Sequence, residues 1–512
     1  MVILSEAMHL RGCSLRTKVT VMTAVDAPGS KQQRSIRLVL AGVLLAMLLA
    51  MLDNAIVGTA MPTIVRDLGG LDQMSWVVTA YTLTSAISTP VWGKLGDLYS
   101  RKGVFLASIA LFIGGSLLAG AAWSMPTLIG FRALQGLGAG GITVGAFALI
   151  GAMLPPRERG RYQGMIAVTM AVGTIGGPLL GGVIADHLSW RWAFYINIPL
   201  GLLSLAWCWW ALALPAATRQ KVRIDYAGIL TMAITIASMV LLATWGGSTY
   251  AWVSPQIIGL AAVAAVSLAA FIAIERRTVE PVLPLTLFRS RNLTLATASA
   301  LVTGVVMFGA VLYLPLFQQT VQGQSASSSG LLLLPMMLPL LVVAQIVGKV
   351  MSGTGKYKIF FILGAICLTL GAALLSTVDA GTGRLPVGIY MGLLGMGLGF
   401  SMQLSTTVAQ NSVELKDMGA ASSATTLFRT LGGSLGVAVF GSIFTQATQG
   451  HSPADRDSYL SAFAQGIAQV FLATTVICAV GFAISWFIKE VPLGGRAPSE
   501  DTPAKTTAPA AN

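Results

Sequence analysis

Fourteen long apolar runs limit the folds open to this chain more than any other feature. They lie at residues 38–61, 74–94, 104–122, 127–152, 160–184, 192–214, 225–245, 256–274, 294–318, 329–350, 358–378, 386–409, 419–444 and 468–488. A membrane-crossing helix needs about 20 apolar residues, whereas barrel strands are about ten residues long and alternate in polarity. Only helices and closed barrels satisfy the backbone in hydrocarbon. The runs therefore predict an all-α polytopic membrane protein with fourteen transmembrane helices.

The scarcity of charge agrees with this prediction. Only 10% of the 512 residues are Asp, Glu, Lys or Arg, and 55% are hydrophobic. A soluble protein carries roughly a quarter charged residues. Disorder requires low hydrophobicity and high charge. The composition therefore excludes a water-soluble globule and a disordered chain.

The positive charges predict the orientation of the helices. The net charge is +13, but the 32 Lys and Arg recur in short clusters between the apolar runs instead of forming one patch. With the N-terminus inside, the inside segments hold 26 of them, the outside loops four and the helices two. This asymmetry is typical of cytoplasmic loops. We therefore expect a multi-pass protein of the cell (plasma or inner) membrane with both termini cytoplasmic and no nucleic-acid partner.

Several enzyme and cofactor classes find no support in the sequence. The four cysteines are far apart without a Cys-x-x-Cys pair, and the three histidines lie in loops or termini. There is no phosphate-binding Gly-x-x-x-x-Gly-Lys-Ser/Thr, no His-Glu-x-x-His and no Gly-x-Ser-x-Gly. We expect no metal, no cofactor, no disulfide framework and no catalytic residues.

A short internal sequence repeat suggests that the chain consists of two halves. Gly93-Lys94 follows the second run, Gly348-Lys349 follows the tenth, and each has a later base. Gly-Lys can also recur by chance. If the seventh and eighth runs are an insertion, the halves correspond, as in transporters with a substrate site between them. The predicted division is a basic N-terminus at 1–36, a six-helix half at 37–214, two inserted helices at 215–293, a six-helix half at 294–488 and a disordered cytoplasmic tail at 489–512.

Asp53 is the acid most suited to a functional role. Of the 19 acids, it alone lies well within an apolar run. A charge at that depth costs on the order of 3 kcal/mol, so it marks a functional site by default. We expect Asp53 to bind and release a proton, to attract a cationic substrate, or to do both. The alternative is an aspartate that caps a helix or reaches the outer interface.

Arg132 and Arg429 are the two bases within apolar runs. Arg132 opens a glycine-rich stretch to Gly141, where another helix can approach closely. Its fixed charge near a titrating aspartate would ease release of the proton. The alternative is an arginine that bonds backbone carbonyls. For Arg429, function and packing are both open.

Two further stretches suggest segments that change conformation. The fifth run contains a glycine–proline segment in which Pro178 is expected to bend the helix and the glycines to let a neighbour slide. Its members are Gly173, Gly177, Pro178, Gly181 and Gly182. A gate loop follows the second run. Its members are Gly93, Asp97, Arg101 and Lys102. Asp97 there can cap a helix and pair with the bases, or be a solvated loop charge.

These stretches together resemble the major facilitator superfamily, in its 14-helix drug:proton antiporter branch. Leu52-Asp53 to Pro62 resembles that branch's first-helix motif, and Gly93 to Lys102 the superfamily's gate loop. The stretches that begin at Arg132 and Gly173 resemble the fourth-helix and exporter motifs. Trp190 to Pro199 is also typical of the branch.

The resemblance implies a secondary exporter that moves an amphipathic drug, dye or antibiotic outward while protons move inward. Its implied partners are that small molecule, protons and the lipid bilayer, and we expect a monomer. Ala55 replaces the usual Thr of the first motif, and Ser100 the usual Gly of the gate loop. No further acids occur in later helices, which weakens the expectation of dicationic drugs.

Other interpretations remain open at this point. The cargo can be an endogenous metabolite, siderophore or lipid, which the sequence does not separate from a drug. A nutrient importer is disfavoured by the exporter motif. A membrane enzyme or receptor is disfavoured by the missing catalytic residues. The sequence also leaves open whether translation starts at Met1, Met8 or Met22.

Overall fold

The structure is a computed structural model that describes residues 30–70, 73–212, 225–247, 249–324, 329–449 and 456–491. Within these residues it contains 16 α-helices and no β-strand. The helices are α1 (Ser30–Leu68), α2 (Met74–Leu98), α3 (Arg101–Gly120), α4 (Met125–Met153), α5 (Pro156–His187), α6 (Trp192–Tyr195), α7 (Asn197–Ala211), α8 (Tyr226–Trp245), α9 (Pro255–Glu275), α10 (Arg291–Thr320), α11 (Ser329–Leu332), α12 (Leu334–Thr354), α13 (Lys358–Leu375), α14 (Arg384–Asn411), α15 (Met418–Thr448) and α16 (Arg456–Trp486).

The predicted all-α fold is confirmed. In the described residues, 13 helical segments are long and apolar enough to cross a membrane, α6 and α7 counting as one. The 25-residue helix α2 supplies the remaining predicted span, although its many serines and threonines make it less apolar. The short helix α11 precedes α12 within the tenth predicted span.

Helix α16 begins earlier than predicted. The apolar run starts at residue 468, but the helix starts at Arg456. Its added turns pack aromatic rings, since the ring of Phe463 lies 4.9 Å from that of Phe444 and 5.9 Å from that of Tyr459. These contacts are tertiary, so the hydropathy of the segment did not reveal them.

Glycines and hydroxyl groups hold the first half, α1 to α7, together. A Cβ on Gly138 of α4 would lie 2.5 Å from the backbone nitrogen of Phe112, so only glycine allows α3 this close. On the α2 side, Thr84 and Ser88 donate hydrogen bonds to carbonyls of α4 at 2.8 and 3.0 Å. Small residues and hydroxyls at helix contacts are typical of packing in membranes.

The second half, α10 to α16, packs in the same manner. Helix α10 lies against α15, and α13 against α14. The two halves meet along two lines of contact, one between α2 and α15 and the other between α5 and α12. We call these the α2–α15 seam and the α5–α12 seam.

Helices α8 and α9, which the sequence predicts to be an insertion, lie beside one seam only. The two helices pack on each other, and α8 also contacts α2 and α15. A buried apolar cluster joins the pair to both halves. Its members include Ala86, Met232, Ile236, Phe271 and Ala424. The predicted residue boundaries of the two halves and the insertion stay a prediction.

One end of the bundle gathers the basic loops. Here α2 turns into α3, α4 into α5, α9 into α10, α12 into α13 and α14 into α15. We call it the basic end and the other the opposite end. Both halves have contacts that close the basic end, as described below.

Candidate functional site

Asp53 lies in a hydrogen-bonded cluster between α1, α4 and α7. The side chain is fully buried. Its Oδ2 atom accepts a hydrogen bond from Nη1 of Arg132, with which it forms an ion pair. Its Oδ1 atom accepts from Nε2 of Gln135 at 2.8 Å and from Nδ2 of Asn197 at 2.7 Å. Three donors therefore satisfy a carboxylate that has no access to water.

Arg132 is held over an aromatic ring. Its guanidinium carbon lies 4.1 Å from the ring centre of Tyr81, a cation–π contact. Its Nη1 also donates to Oε1 of Gln135 at 2.9 Å, and its Nε donates to the carbonyl of Val77 at 3.3 Å. Gln135 follows Arg132 by three residues, so both side chains lie on one face of α4. The predicted pairing of a base with Asp53 is thus present in the geometry.

The sequence interpretation missed Asn197 and Ser116. Asn197 is the first residue of α7, at the break after α6. Its Nδ2 bonds both Asp53 and the hydroxyl of Ser116, the latter at 3.0 Å. Ser116 donates in turn to the carbonyl of Phe194 at 2.9 Å. An asparagine in an apolar run, just before Pro199, was the available signal.

The cluster carries opposite charges in a place where charge is costly. Breaking a buried ion pair on one side costs about 3–5 kcal/mol, because the other charge is left uncompensated. Loss of either charge would therefore weaken the contact between α1 and α4.

Helix α1 lies between this cluster and the glycine–proline segment of α5. A Cβ on Gly173 would lie 2.6 Å from that of Met51, and Cβ atoms on Gly177 and Gly181 would collide with Ala55 and Thr59. By contrast, a Cβ on Gly182 would meet nothing. Helix α5 continues through Pro178, which lies in the interior of the helix. Three of the four predicted glycines thus form the α1–α5 contact.

The gate loop joins the two halves at the basic end. The carboxylate of Asp97 accepts hydrogen bonds from the backbone amides of Gly419 and Ala420, both at 2.9 Å. Asp97 therefore caps the first turn of α15, where a negative charge is favoured by the helix dipole. The helix that Asp97 caps, α15, belongs to the other half of the molecule.

The two bases of the gate loop differ in their contacts. Nη2 of Arg101 lies 3.0 Å from Oδ1 of Asp97 and donates to the carbonyl of Leu415 at 2.7 Å. Lys102 instead donates to the carbonyl of Trp209 at 2.6 Å and lies over its ring. Arg101 therefore belongs to the gate contact, and Lys102 to the packing of α3 on α7.

Further contacts complete the closure of the basic end. A Cβ on Gly93 would lie 2.8 Å from the carbonyl oxygen of Gly419, so α2 and α15 meet backbone to backbone. Nε2 of Gln410 on α14 donates to the carbonyl of Phe147 on α4 at 3.0 Å. Gly419 and Gln410 had not been predicted, because each matters only through a helix far away in the chain.

A charged cavity of about 1220 Å³ lies beside this closure. It is lined by the end of α9, the 276–290 segment, α2 and the start of α15. Across it, Nζ of Lys94 lies 2.8 Å from a carboxylate oxygen of Glu280. The segment after α9 is thereby attached to α2.

Arg429 is buried in the second half, away from any carboxylate of the described residues. Its Nη2 donates to the carbonyl of Met402 at 3.1 Å and lies 3.4 Å from the hydroxyl of Thr406. The structure does not bring it to Asp53.

Comparison with known proteins identifies the family to which this chain is related. Residues 43–437 match the family model described as the Major Facilitator Superfamily. An uncharacterized MFS-type transporter of Mycobacterium tuberculosis is 38% identical over 502 residues, which cover 93% of this chain and 72% of that protein. The multidrug transporter protein MdtP of Bacillus subtilis is 37% identical over 418 residues, 81% of this chain and 76% of MdtP.

Solved structures share the architecture. The proton:xylose symporter XylE aligns with a TM-score of 0.62 at 13% identity and covers 90% of this chain and 97% of its own. At this identity the likeness shows the fold alone. The family model and the relatives make the protein a multi-pass membrane transporter and not an enzyme. The chain belongs to the major facilitator superfamily.

Proposed function

We propose that this transporter exports amphipathic small molecules and draws its energy from protons that move inward. The relatives support the substrate class and the direction, because MdtP is named a multidrug transporter and aunC of Aspergillus niger, 34% identical over 414 residues, is named an efflux pump. The observation that carries the proposal is the buried pair of Asp53 and Arg132. In an apolar interior, a titratable carboxylate with a permanent cation beside it is the group most suited to couple a proton to a conformational change.

The proposed cycle uses the two states of this pair. In the charged state, Asp53 is bound to Arg132, Gln135 and Asn197. A proton that enters from outside neutralises the carboxylate, and Arg132 loses its counter-charge. The cluster then relaxes, α1 and α4 shift, and the transporter returns to face inward. Release of that proton to the cytoplasm restores the pair.

The contacts at the basic end supply the second half of the cycle. Asp97, Arg101 and Gly93 hold α2 to the start of α15 in the present conformation. We infer that the basic end faces the cytoplasm of a cell (plasma or inner) membrane, because it gathers most of the Lys and Arg. The described state is then the one that is closed to the cytoplasm.

Efflux from proteoliposomes tests the proposal. Purified protein is reconstituted, a pH gradient is imposed, and a panel of dyes and antibiotics of positive, negative and zero charge is followed. Asp53→Asn keeps the size of the side chain but removes the titration, and we expect it to abolish proton-driven efflux. Asp379→Asn, at an exposed aspartate between α13 and α14, is the matched control.

Full proton-driven efflux by the Asp53→Asn variant would contradict the coupling role. Uptake driven by the same gradient would contradict the direction and favour an importer. Transport of one compound from the panel, with no response to the others, would favour a dedicated exporter of a metabolite, siderophore or lipid.

A further inference from the structure

Arg429 is a buried cation whose charge nothing in the described residues compensates. The side chain is 7% exposed. The ion pairs of the described residues join other side chains, and the polar contacts of Arg429 are a carbonyl and a hydroxyl. Both of these acceptors are neutral. Arg132, the other arginine at membrane depth, has a carboxylate instead.

One donor of the Arg429 guanidinium, its Nε, also lacks an acceptor. This nitrogen is buried and donates to no atom in the described structure. A buried donor without a partner costs about 1–3 kcal/mol, and more for a charged group. Guanidinium donors form a planar fork that suits the two oxygens of a carboxylate, sulfonate or phosphate. Arg429 thus has an unused donor of the kind that such a group requires.

The place of Arg429 in the fold suits a substrate site. It lies on α15 and contacts α14, ten residues beyond Gly419, where α15 meets α2. At 1.5 Å per residue, this is roughly 15 Å further from the basic end. The contacts that close the basic end, those of Gly93 and Gln410, thus lie between Arg429 and that end. Arg429 therefore lies on the side of this closure that faces the opposite end.

The charges buried in the interior also favour an anionic ligand. The buried charged side chains of the described residues are Asp53, Arg132, Arg159, Glu275 and Arg429. Arg159 lies in the first turn of α5 and Glu275 ends α9, so both lie at the basic end. Asp53 and Arg132 cancel each other. The charge of Arg429 therefore remains uncompensated at membrane depth. The carboxylate that would attract a cation, that of Asp53, is already paired with Arg132.

We propose that Arg429 binds an anionic group of the exported molecule, so that the transporter prefers amphipathic anions over cations. This rests on the proposed export function and adds the chemical class of the substrate. The anion takes the place of the missing counter-charge and accepts from Nε of Arg429. The aromatic or aliphatic part of the molecule then lies among the apolar side chains.

The test uses three probes that share one ring system. Anthracene-9-carboxylate is the anion, 9-anthracenemethanol the neutral probe and 9-anthracenemethylammonium the cation. Binding to the full-length protein in lipid nanodiscs is measured by calorimetry for wild type, Arg429→Gln and Arg429→Lys. Arg456→Gln, at an exposed arginine that begins α16, is the matched control. Folding of each variant is checked by thermal unfolding.

We expect wild type to bind the anion at least tenfold more tightly than the other two probes. Arg429→Gln should lose about tenfold in anion affinity and nothing for the neutral probe. Arg429→Lys should retain part of the preference, and Arg456→Gln all of it. Equal affinity of wild type for the three probes, or no binding of any of them, would overturn the proposal. So would an anion preference that survives in Arg429→Gln, and if that variant fails to fold, wild type and Arg429→Lys decide.

Proton-driven efflux of the same probes separates this proposal from the export function. Anion binding that depends on Arg429 without any proton-driven efflux would overturn the export function and leave the anion site intact. Proton-driven efflux that is equal for the three probes would overturn the anion site and leave the export function intact.

Discussion

Gly93 of α2 and Gly419 of α15 face each other across the two halves, and neither has room for a side chain. A Cβ on Gly93 would lie 2.8 Å from the carbonyl oxygen of Gly419 and 2.9 Å from Cβ of Ser423. A Cβ on Gly419 would collide with the carbonyl of Gly93 and lie 2.7 Å from Oδ2 of Asp97. Closure of the basic end therefore depends on contact between the two backbones.

Gly93→Ala should hold the basic end open, because the added methyl group meets backbone and cannot be avoided by a rotamer change. Spin labels at Tyr99 and Leu415, both exposed, would report a longer distance in the variant than in wild type. Gly96→Ala is the control, since a Cβ there meets nothing within 4 Å. Equal distances in all three proteins would show that the closure tolerates a methyl group.

Asp97→Asn should impair efflux severalfold with near-normal expression. The change removes the charge that caps α15, and such caps contribute about 0.5–2 kcal/mol. Asp417→Asn makes the same change directly before α15, at a residue whose own side chain makes no capping hydrogen bond, and should leave efflux near wild type. Normal transport by Asp97→Asn would show that efflux does not depend on the charge of this cap.

The Lys94–Glu280 pair should affect transport modestly. Glu280 is 40% exposed, and partly exposed ion pairs are worth about 1 kcal/mol or less. We expect Lys94→Glu and Glu280→Lys each to lower the efflux rate by less than tenfold. The double variant should recover most of it, because the pair is restored with its charges exchanged. Additive losses in the double variant would show that the two side chains act independently.

Ser116→Ala should lower the efficiency of proton coupling. It removes the hydroxyl that bonds Asn197 and Phe194, so the donor to Asp53 loses its support. Ser108→Ala, two turns earlier on α3, is the control, because its hydroxyl donates to a carbonyl of its own helix at 2.7 Å. The ratio of protons to substrate moved in proteoliposomes is the measurement. An unchanged ratio in Ser116→Ala would mean that Asp53 is positioned without this chain of bonds.

Gly181→Ala should separate α1 from α5 and reduce efflux. Its methyl group would collide with Thr59 and lie 2.9 Å from the carbonyl of Ile56. Gly182→Ala points into open space and should at most add stability, since alanine favours a helix by up to about 1 kcal/mol over glycine. Thermal unfolding and efflux are compared for both variants. Loss of efflux in both would mean that the space between α1 and α5 is not the cause.

The sequence reveals much of the fold because hydropathy and charge act locally along the chain. The same logic singled out Asp53 and Arg132, since a charge in an apolar run is visible without a structure. Hydropathy and charge did not identify Asn197 and Gly419. Their roles depend on side chains and backbones that packing brings near, and the sequence around each residue does not reveal those partners. Lys102 illustrates the same limit, because the sequence groups it with the gate loop while its contact in the structure is with Trp209 of α7.

The position of α8 makes the two seams unequal for a molecule dissolved in lipid. Along the α2–α15 seam, α8 stands between the bilayer and the line where the halves meet. Along the α5–α12 seam, Val172 and Val183 of α5 and Val342 and Ile346 of α12 remain exposed. We expect that a hydrophobic molecule in the membrane reaches the interior from one flank of the protein. The two flanks of the protein would then differ in how a lipid-dissolved molecule gains access to the interior.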